Sequence, residues 1–129
     1  MIVDTSAILA VLLREPDAKR FELLLAAAPR RRLSTASFVE VINVIDRRLG
    51  ADLVATAEAL LAAAKIELAP FTVEQVQWAR HARLTYGIGR HRAGLNFGDC
   101  FVYALAKSTG EPLLFKGDDF VHTDIVPAI

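Results

Sequence analysis

Short apolar runs alternate with helical segments along this chain of 129 residues, and this alternation constrains the fold more than any other feature. The predicted strands are residues 2–3, 32–34, 66–68, 112–115 and 125–126. The segments between them predict helices over 6–14, 17–28, 38–49, 53–65, 73–86 and 99–108. Short apolar strands that alternate with helices are typical of a parallel sheet covered on both faces. We therefore expect a single α/β domain spanning residues 1–129.

Charge and cysteine content exclude several classes of protein. Fifteen Lys and Arg balance fifteen Asp and Glu, so the chain is not a strongly basic nucleic-acid binder. Arginines nevertheless cluster locally, and such patches can bind phosphates. A single cysteine, Cys100, forbids an intrachain disulfide.

No apolar run reaches the ~18 residues of a membrane span, and the start lacks a signal peptide's basic segment. We expect a soluble, cytoplasmic protein that does not bind membranes.

Acidic residues stand where the predicted strands end or where helices begin, at Asp4, Glu40, Asp99 and the pair Asp118-Asp119. Each has a structural explanation. Asp4 could cap a helix, and Glu40 has the spacing from Ser37 that a capping box requires. Asp99 would lie in the first turn of a helix, where the helix dipole favours an acid. Asp118 and Asp119 would lie in a turn, where Asp is common.

The joint placement of these acids favours a functional interpretation. In a parallel α/β sheet, the functional crevice lies beyond the carboxyl ends of the strands, where these carboxylates would converge. They would repel one another by up to roughly 4 kcal/mol per close pair unless a cation balanced them. Oxygen ligands of this kind suit Mg²⁺ or Mn²⁺, and an acid-only site is typical of phosphodiester hydrolysis.

Other chemistries are less well supported. His81, His91 and His122 lack zinc-ligand spacing, and neither a nucleophile-elbow serine nor a phosphate-binding P-loop is present. A haloacid-dehalogenase-type phosphatase also begins with a strand-end Asp, but its general acid would stand at position 6, which is Ser6.

Several segments resemble PIN-domain ribonucleases, in particular the VapC toxins of toxin–antitoxin pairs. They are the opening Ile2–Ala7, Ser34–Ser37 leading to Glu40, Gly87–Lys107 (GIGRHRAGLNFGDCFVYALAK) and Leu113–Asp124 (LLFKGDDFVHTD). The resemblance covers essentially the whole chain in the expected order. It implies a PIN-like three-layer α/β fold whose central parallel sheet has the order 3-2-1-4-5.

The resemblance also implies a function and a set of partners. The expected activity is that of a Mg²⁺- or Mn²⁺-dependent endoribonuclease, cleaving RNA such as tRNA or rRNA. A VapB-like antitoxin, a homodimer and a heterotetramer or larger assembly with the antitoxin are implied as well. Asp4 and Asp99 would be direct metal ligands, Glu40 would orient a metal-bound water, and Ser6 would be an auxiliary polar residue.

The fourth acid departs from the common PIN pattern, because the stretch after the fourth strand reads Phe115-Lys-Gly-Asp-Asp-Phe120. Either Asp118 or Asp119 could fill this role. We favour Asp119, with Asp124 as a further candidate. The loop carrying Arg90, His91 and Arg92 leads towards Asp99, so these residues are candidate RNA-phosphate ligands. The alternative function is a non-catalytic PIN-like module that binds RNA or a protein.

Overall fold

The computed structural model describes all 129 residues, and its centre is a four-stranded parallel sheet. The strands are β1 (Ile2–Val3), β2 (Arg31–Ser34), β3 (Ile66–Ala69) and β4 (Leu113–Leu114), in the order β3-β2-β1-β4. The helices are α1 (Thr5–Leu12), α2 (Ala18–Ala27), α3 (Thr35–Leu49), α4 (Val54–Ala63), α5 (Val73–Tyr86) and α6 (Phe97–Thr109), and short 3₁₀ turns cover Ala51–Leu53 and Asp119–His122. None of the helices is long and apolar enough to cross a membrane.

Two apolar clusters pack against opposite faces of the sheet, because successive side chains of a strand point in opposite directions. Ile2 and Leu113 belong to the cluster beneath α5 and α6, whereas Val3 and Leu114 belong to the cluster beneath α1–α4. All four side chains are fully buried. The predicted three-layer α/β fold is thus confirmed.

The predicted fifth strand forms only one bridge instead of a ladder. Pro127 pairs in parallel with Leu113, beside β4, at the place that the order 3-2-1-4-5 gives to a fifth strand. Leu113 donates to the carbonyl of Val126, and Ala128 donates to the carbonyl of Leu113. Both bonds come from the neighbours of Pro127, and no second bridge extends this pairing. The sheet therefore has four strands.

Helix boundaries differ from the prediction mainly where a side chain caps a helix. The helix α3 begins at Thr35 rather than at residue 38, because the side chain of Ser34 accepts from the N–H of Ala36. The helix α6 begins at Phe97 rather than at Asp99, because Asn96 caps it. Both helix N-termini lie at the carboxyl edge of the sheet, where the candidate acids are found.

Candidate active site

The carboxyl edge of the sheet brings four of the five predicted acids into one cleft. Because Ile2 pairs with Arg32 and with Leu113, the strand ends of β1, β2 and β4 lie side by side. A cleft of about 200 Å³ opens above them, and its acidic lining consists of Asp4, Glu40, Asp99 and Asp119. We call it the acidic cleft.

Asp4 is fixed by both its backbone and its side chain. Its N–H donates to the carbonyl of Leu114 at 2.9 Å, which extends the pairing of β1 with β4. Its carboxylate accepts from the N–H of Ser6 at 3.0 Å and from the Ser6 hydroxyl, and so caps α1. Burial raises the pKa of Asp4, whereas the bonds from Ser6 lower it and the charge of Asp119 raises it. The capping role is therefore real, and the residue also lines the cleft.

Glu40 does not take part in the capping box that its spacing from Ser37 allowed. The helix α3 is capped by Ser34, six residues before Glu40. The carboxylate of Glu40 instead accepts from the hydroxyl of Thr5 at 3.3 Å. Burial and the nearby charge of Asp4 both raise the pKa of Glu40. The side chain is thus directed across the sheet edge towards Asp4.

Asp99 lies in the first turn of α6 and forms a capping box with Asn96. The N–H of Asn96 donates to Asp99 Oδ2 at 2.8 Å, and the N–H of Asp99 donates to Asn96 Oδ1 at 2.9 Å. The pKa of Asp99 is raised to about 7, mainly by burial and against the lowering effect of the bond from Asn96. The charges of Asp4, Asp119 and Glu40 contribute to this rise. The effect of three other carboxylates on the pKa of Asp99 places all four in one electrostatic environment.

The three acids near the C-terminus occupy different environments. Asp118 and Asp119 are both exposed, but only Asp119 lines the acidic cleft. Asp124 accepts from the hydroxyl of Tyr103 and from the ammonium of Lys107, each at 2.8 Å, and likewise does not line the cleft. The geometry therefore favours Asp119 as the fourth acid of the site.

Lys116 is the only basic residue that lines the cleft, and its charge is already engaged. The ammonium forms ion pairs with Glu15 and with Asp17, the latter at 2.8 Å. The hydrogen bonds that the ammonium donates to these partners, Asp17 first, raise the pKa of Lys116. The N-termini of α1 and α6 supply only partial positive charges. The four carboxylates consequently have no free cationic side chain beside them.

The donor set suits a hydrated divalent cation better than a metal enclosed by protein ligands. No group of three or more His, Cys, Asp or Glu side chains is arranged to hold a metal ion by itself. Mg²⁺ retains several waters and binds proteins through one or two carboxylates, so such an enclosure is not required. Four carboxylates around an open cleft, one of them with a pKa near 7, provide direct and water-mediated oxygen ligands. The residues present therefore fit Mg²⁺ or Mn²⁺.

The predicted RNA-binding loop is a closed, exposed segment between α5 and α6. A parallel bridge between Gly87 and Leu95 closes it, and Arg90, His91 and Arg92 are exposed. His91 Nδ1 accepts from the N–H of Ala93 at 3.1 Å. None of the three residues lines the acidic cleft. Any RNA phosphate that they contact would lie outside the cleft itself.

Sequence reasoning missed several polar residues that hold the acids in place. Asn96 could have been found, because an Asn three residues before an Asp has capping-box spacing. Thr5 and Lys116 carried no comparable signal, since their contacts join residues far apart in the sequence. The N–H of Lys116 donates to the Ser6 hydroxyl at 3.0 Å, which places Ser6 between β4 and Asp4.

Comparison with known proteins identifies the family. Residues 1–126 match the PIN domain. Over 125 residues the chain is 51% identical to ribonuclease VapC30 of Mycobacterium tuberculosis, covering 97% of this chain and 95% of the relative. It is 48% identical to ribonuclease VapC of Mycolicibacterium smegmatis, with 97% of each chain covered. The chain therefore belongs to the PIN-domain family and, within it, to the VapC ribonucleases.

Solved structures share the fold at low sequence identity. VapC20 of Mycobacterium tuberculosis, described as a sarcin–ricin-loop-cleaving toxin, matches with a TM-score of 0.79 and 18% identity over 97% of this chain and 95% of that one. VapBC2 of Rickettsia felis, bound to a promoter DNA fragment, matches with a TM-score of 0.73 and 13% identity over 98% and 94%. A toxin–antitoxin complex from Klebsiella pneumoniae matches with a TM-score of 0.71 and 16% identity over 99% and 97%.

Proposed function

We propose that this chain is a Mg²⁺- or Mn²⁺-dependent endoribonuclease that acts as the toxin of a toxin–antitoxin pair. The observation that carries the proposal is the acidic cleft, in which four carboxylates meet without a free cationic side chain. The two ribonuclease relatives support RNA as the substrate, and tRNA or rRNA is the substrate class that we expect.

Each acid has a distinct part in the proposed reaction. Asp4 and Asp99 would hold the cation, because both carboxylates line the acidic cleft and the charge of Asp4 raises the pKa of Asp99. A cation bound there would polarise the phosphoryl oxygen, lower the pKa of a water and offset charge on the leaving oxygen. Glu40, held by Thr5, would orient that water and accept a proton, for which its raised pKa is suitable. Asp119 would complete the anionic lining.

The partners follow from the family and its assemblies. We propose a VapB-like antitoxin, a homodimer of this chain and a heterotetramer or larger assembly of the two proteins. The toxin–antitoxin complexes among the similar folds support such an assembly.

Arg90, His91 and Arg92 are proposed to contact RNA phosphates outside the cleft. Two apolar clusters on one shared sheet support treating residues 1–129 as a single domain.

Cleavage of RNA by the purified protein tests this function. We expect cleavage with Mg²⁺ or Mn²⁺, none in EDTA, and recovery when metal is restored. Asp4→Asn and Asp99→Asn should each abolish cleavage, whereas Asp46→Asn, a change at an exposed acid of α3, should not. Cleavage that continues in EDTA, with contaminating ribonuclease excluded, would contradict the metal-dependent mechanism.

Growth of cells that express the chain without an antitoxin tests the toxin assignment. Expression should arrest growth, and Asp4→Asn should relieve the arrest at equal protein levels. If both proteins arrest growth equally, toxicity comes from binding, as the non-catalytic alternative requires.

A further inference from the structure

Gly98 is the second residue of α6 and directly precedes Asp99. Its φ does not lie in the left-handed region, so the backbone conformation does not require glycine there. Glycine within a helix is less favourable than alanine by about 0.5–1 kcal/mol. The reason for glycine at this position must therefore lie in what surrounds its Cα.

The carboxylate of Glu40 occupies the space that a side chain at position 98 would need. A Cβ atom on Gly98 would lie 2.5 Å from Glu40 Oε2, 3.0 Å from Cδ and 3.1 Å from Oε1. The same Oε2 accepts from the Thr5 hydroxyl at 3.3 Å. The carboxylate therefore lies between the first turn of α1 and the first turn of α6.

A second cavity gives a displaced Glu40 side chain somewhere to go. Glu40 lines the acidic cleft and also a groove of about 380 Å³ between α3 and α6. That groove is bordered by the exposed side chains of Val39 and Phe97. A methyl group at position 98 would favour rotation of the Glu40 carboxylate towards the groove and away from Asp4 and Asp99.

We propose that Gly98 is a positioning residue, whose missing side chain lets Glu40 lie against α6 and point into the acidic cleft. The inference rests on the proposed function for its catalytic consequence, but the packing relation between Gly98 and Glu40 does not depend on it. Gly98→Ala should therefore favour the helix but displace Glu40, so that its net effect on stability depends on whether Glu40 is present.

A double-mutant cycle tests the packing relation without any enzymatic assay. The four proteins are the wild type, Gly98→Ala, Glu40→Ala and the double variant, melted in EDTA. In the Glu40→Ala background the new methyl group has room, so Gly98→Ala should raise the melting temperature by roughly 2–4 °C. In the wild-type background the rise should be smaller or absent. Equal rises in both backgrounds would overturn the proposal.

RNA cleavage tests the consequence for the site. In Mg²⁺, Gly98→Ala should lower kcat about 10-fold or more while changing KM little, because it misplaces a group beside the reacting atoms. In the Glu40→Ala background the same change should have no further effect on kcat. Full activity of Gly98→Ala beside an active wild type would overturn the positioning role.

The two proposals can fail separately. If wild-type protein shows no metal-dependent cleavage and no Mn²⁺-induced rise in melting temperature, the proposed function fails, and the catalytic role of Gly98 fails with it. The melting cycle in EDTA still decides whether Gly98 holds Glu40 in place. If the wild type is active and the cycle shows no coupling, only the inference about Gly98 fails.

Discussion

Replacing Asp99 with Asn removes the charge that the acidic cleft disfavours most clearly. Asn keeps the shape of Asp, and its side-chain oxygen can still accept from the N–H of Asn96. The pKa of Asp99 is raised from its ordinary value near 3.8 to about 7. One pKa unit corresponds to about 1.4 kcal/mol, so a charged Asp99 would destabilise the folded protein by about 4 kcal/mol if the shift applied in full.

Two effects reduce this figure. The cleft is open to water, which screens the charges and lowers the expected gain to about half, or ~2 kcal/mol. The charge of Asp99 also interacts favourably with the N-terminus of α6, and losing it costs about 0.5 kcal/mol. Asp99→Asn should therefore stabilise the metal-free protein by about 1–2 kcal/mol above pH 7, which corresponds to a rise in melting temperature of roughly 3–8 °C.

The pH dependence identifies the source of this gain. The folded wild type keeps the Asp99 proton up to about pH 7, whereas the unfolded chain releases it near pH 4. Wild-type stability should therefore fall as the pH rises through this window, because the folded state binds more protons than the unfolded state. The Asn variant lacks this titration, so the difference between the two proteins should be small below pH 4 and reach its full size above pH 7.

Melting curves in EDTA from pH 4 to pH 8.5 measure this difference. Asp46→Asn, an exposed acid of α3, is the matched control and should show no comparable gain. The reasoning is refuted if Asp99→Asn melts below the wild type at pH 8, as expected of an acid that serves only the helix dipole. A gain that does not change with pH would also refute it.

Three further predictions concern other parts of the site. Asp119→Asn should strongly reduce RNA cleavage, whereas Asp118→Asn should leave it near the wild-type rate; equal losses would contradict the choice of Asp119 as the fourth acid. Ser6→Ala leaves the N–H of Lys116 without its acceptor, so it should lower the free energy of unfolding in urea by about 1 kcal/mol and also slow RNA cleavage. If neither the free energy of unfolding nor the cleavage rate changes, Ser6 has no part in the site. Replacing Arg90 and Arg92 together by Ala should weaken RNA binding and flatten its salt dependence, with metal affinity unchanged; an unaltered salt slope would indicate that these arginines are ordinary surface residues.

The sheet could be predicted because short strands, such as the apolar β1, alternate with helices along the chain. Ile2 and Val3 are both fully buried, and they pack on opposite faces of the sheet. The last strand was overestimated, because an apolar pair at 125–126 does not reveal that the pairing with β4 consists of one bridge, at Pro127. The start of α6 was misplaced because Phe97 and Gly98 follow a glycine-containing loop, although Asn96 caps the helix.

The site could be predicted in outline because parallel strands end at one edge. This rule, together with the predicted place of Asp99 at a helix start, predicted that Asp4 and Asp99 lie near each other. The contacts of Glu40 with Thr5 and Gly98 could not be predicted, since they join residues 35 and 58 positions apart that carry no local pattern. The same holds for the ion pairs that engage Lys116, on which the charge balance of the cleft depends.

The proposed activity requires that the acidic cleft bind a divalent cation. A crystal structure of the protein soaked with Mn²⁺ tests this directly through the anomalous signal of the metal. We expect one strong peak in the cleft, about 2–2.5 Å from carboxylate oxygens of Asp4 and Asp99, and loss of that peak in Asp99→Asn. The absence of any peak in the cleft at saturating Mn²⁺, or a peak there that persists unchanged in Asp99→Asn, would contradict the account.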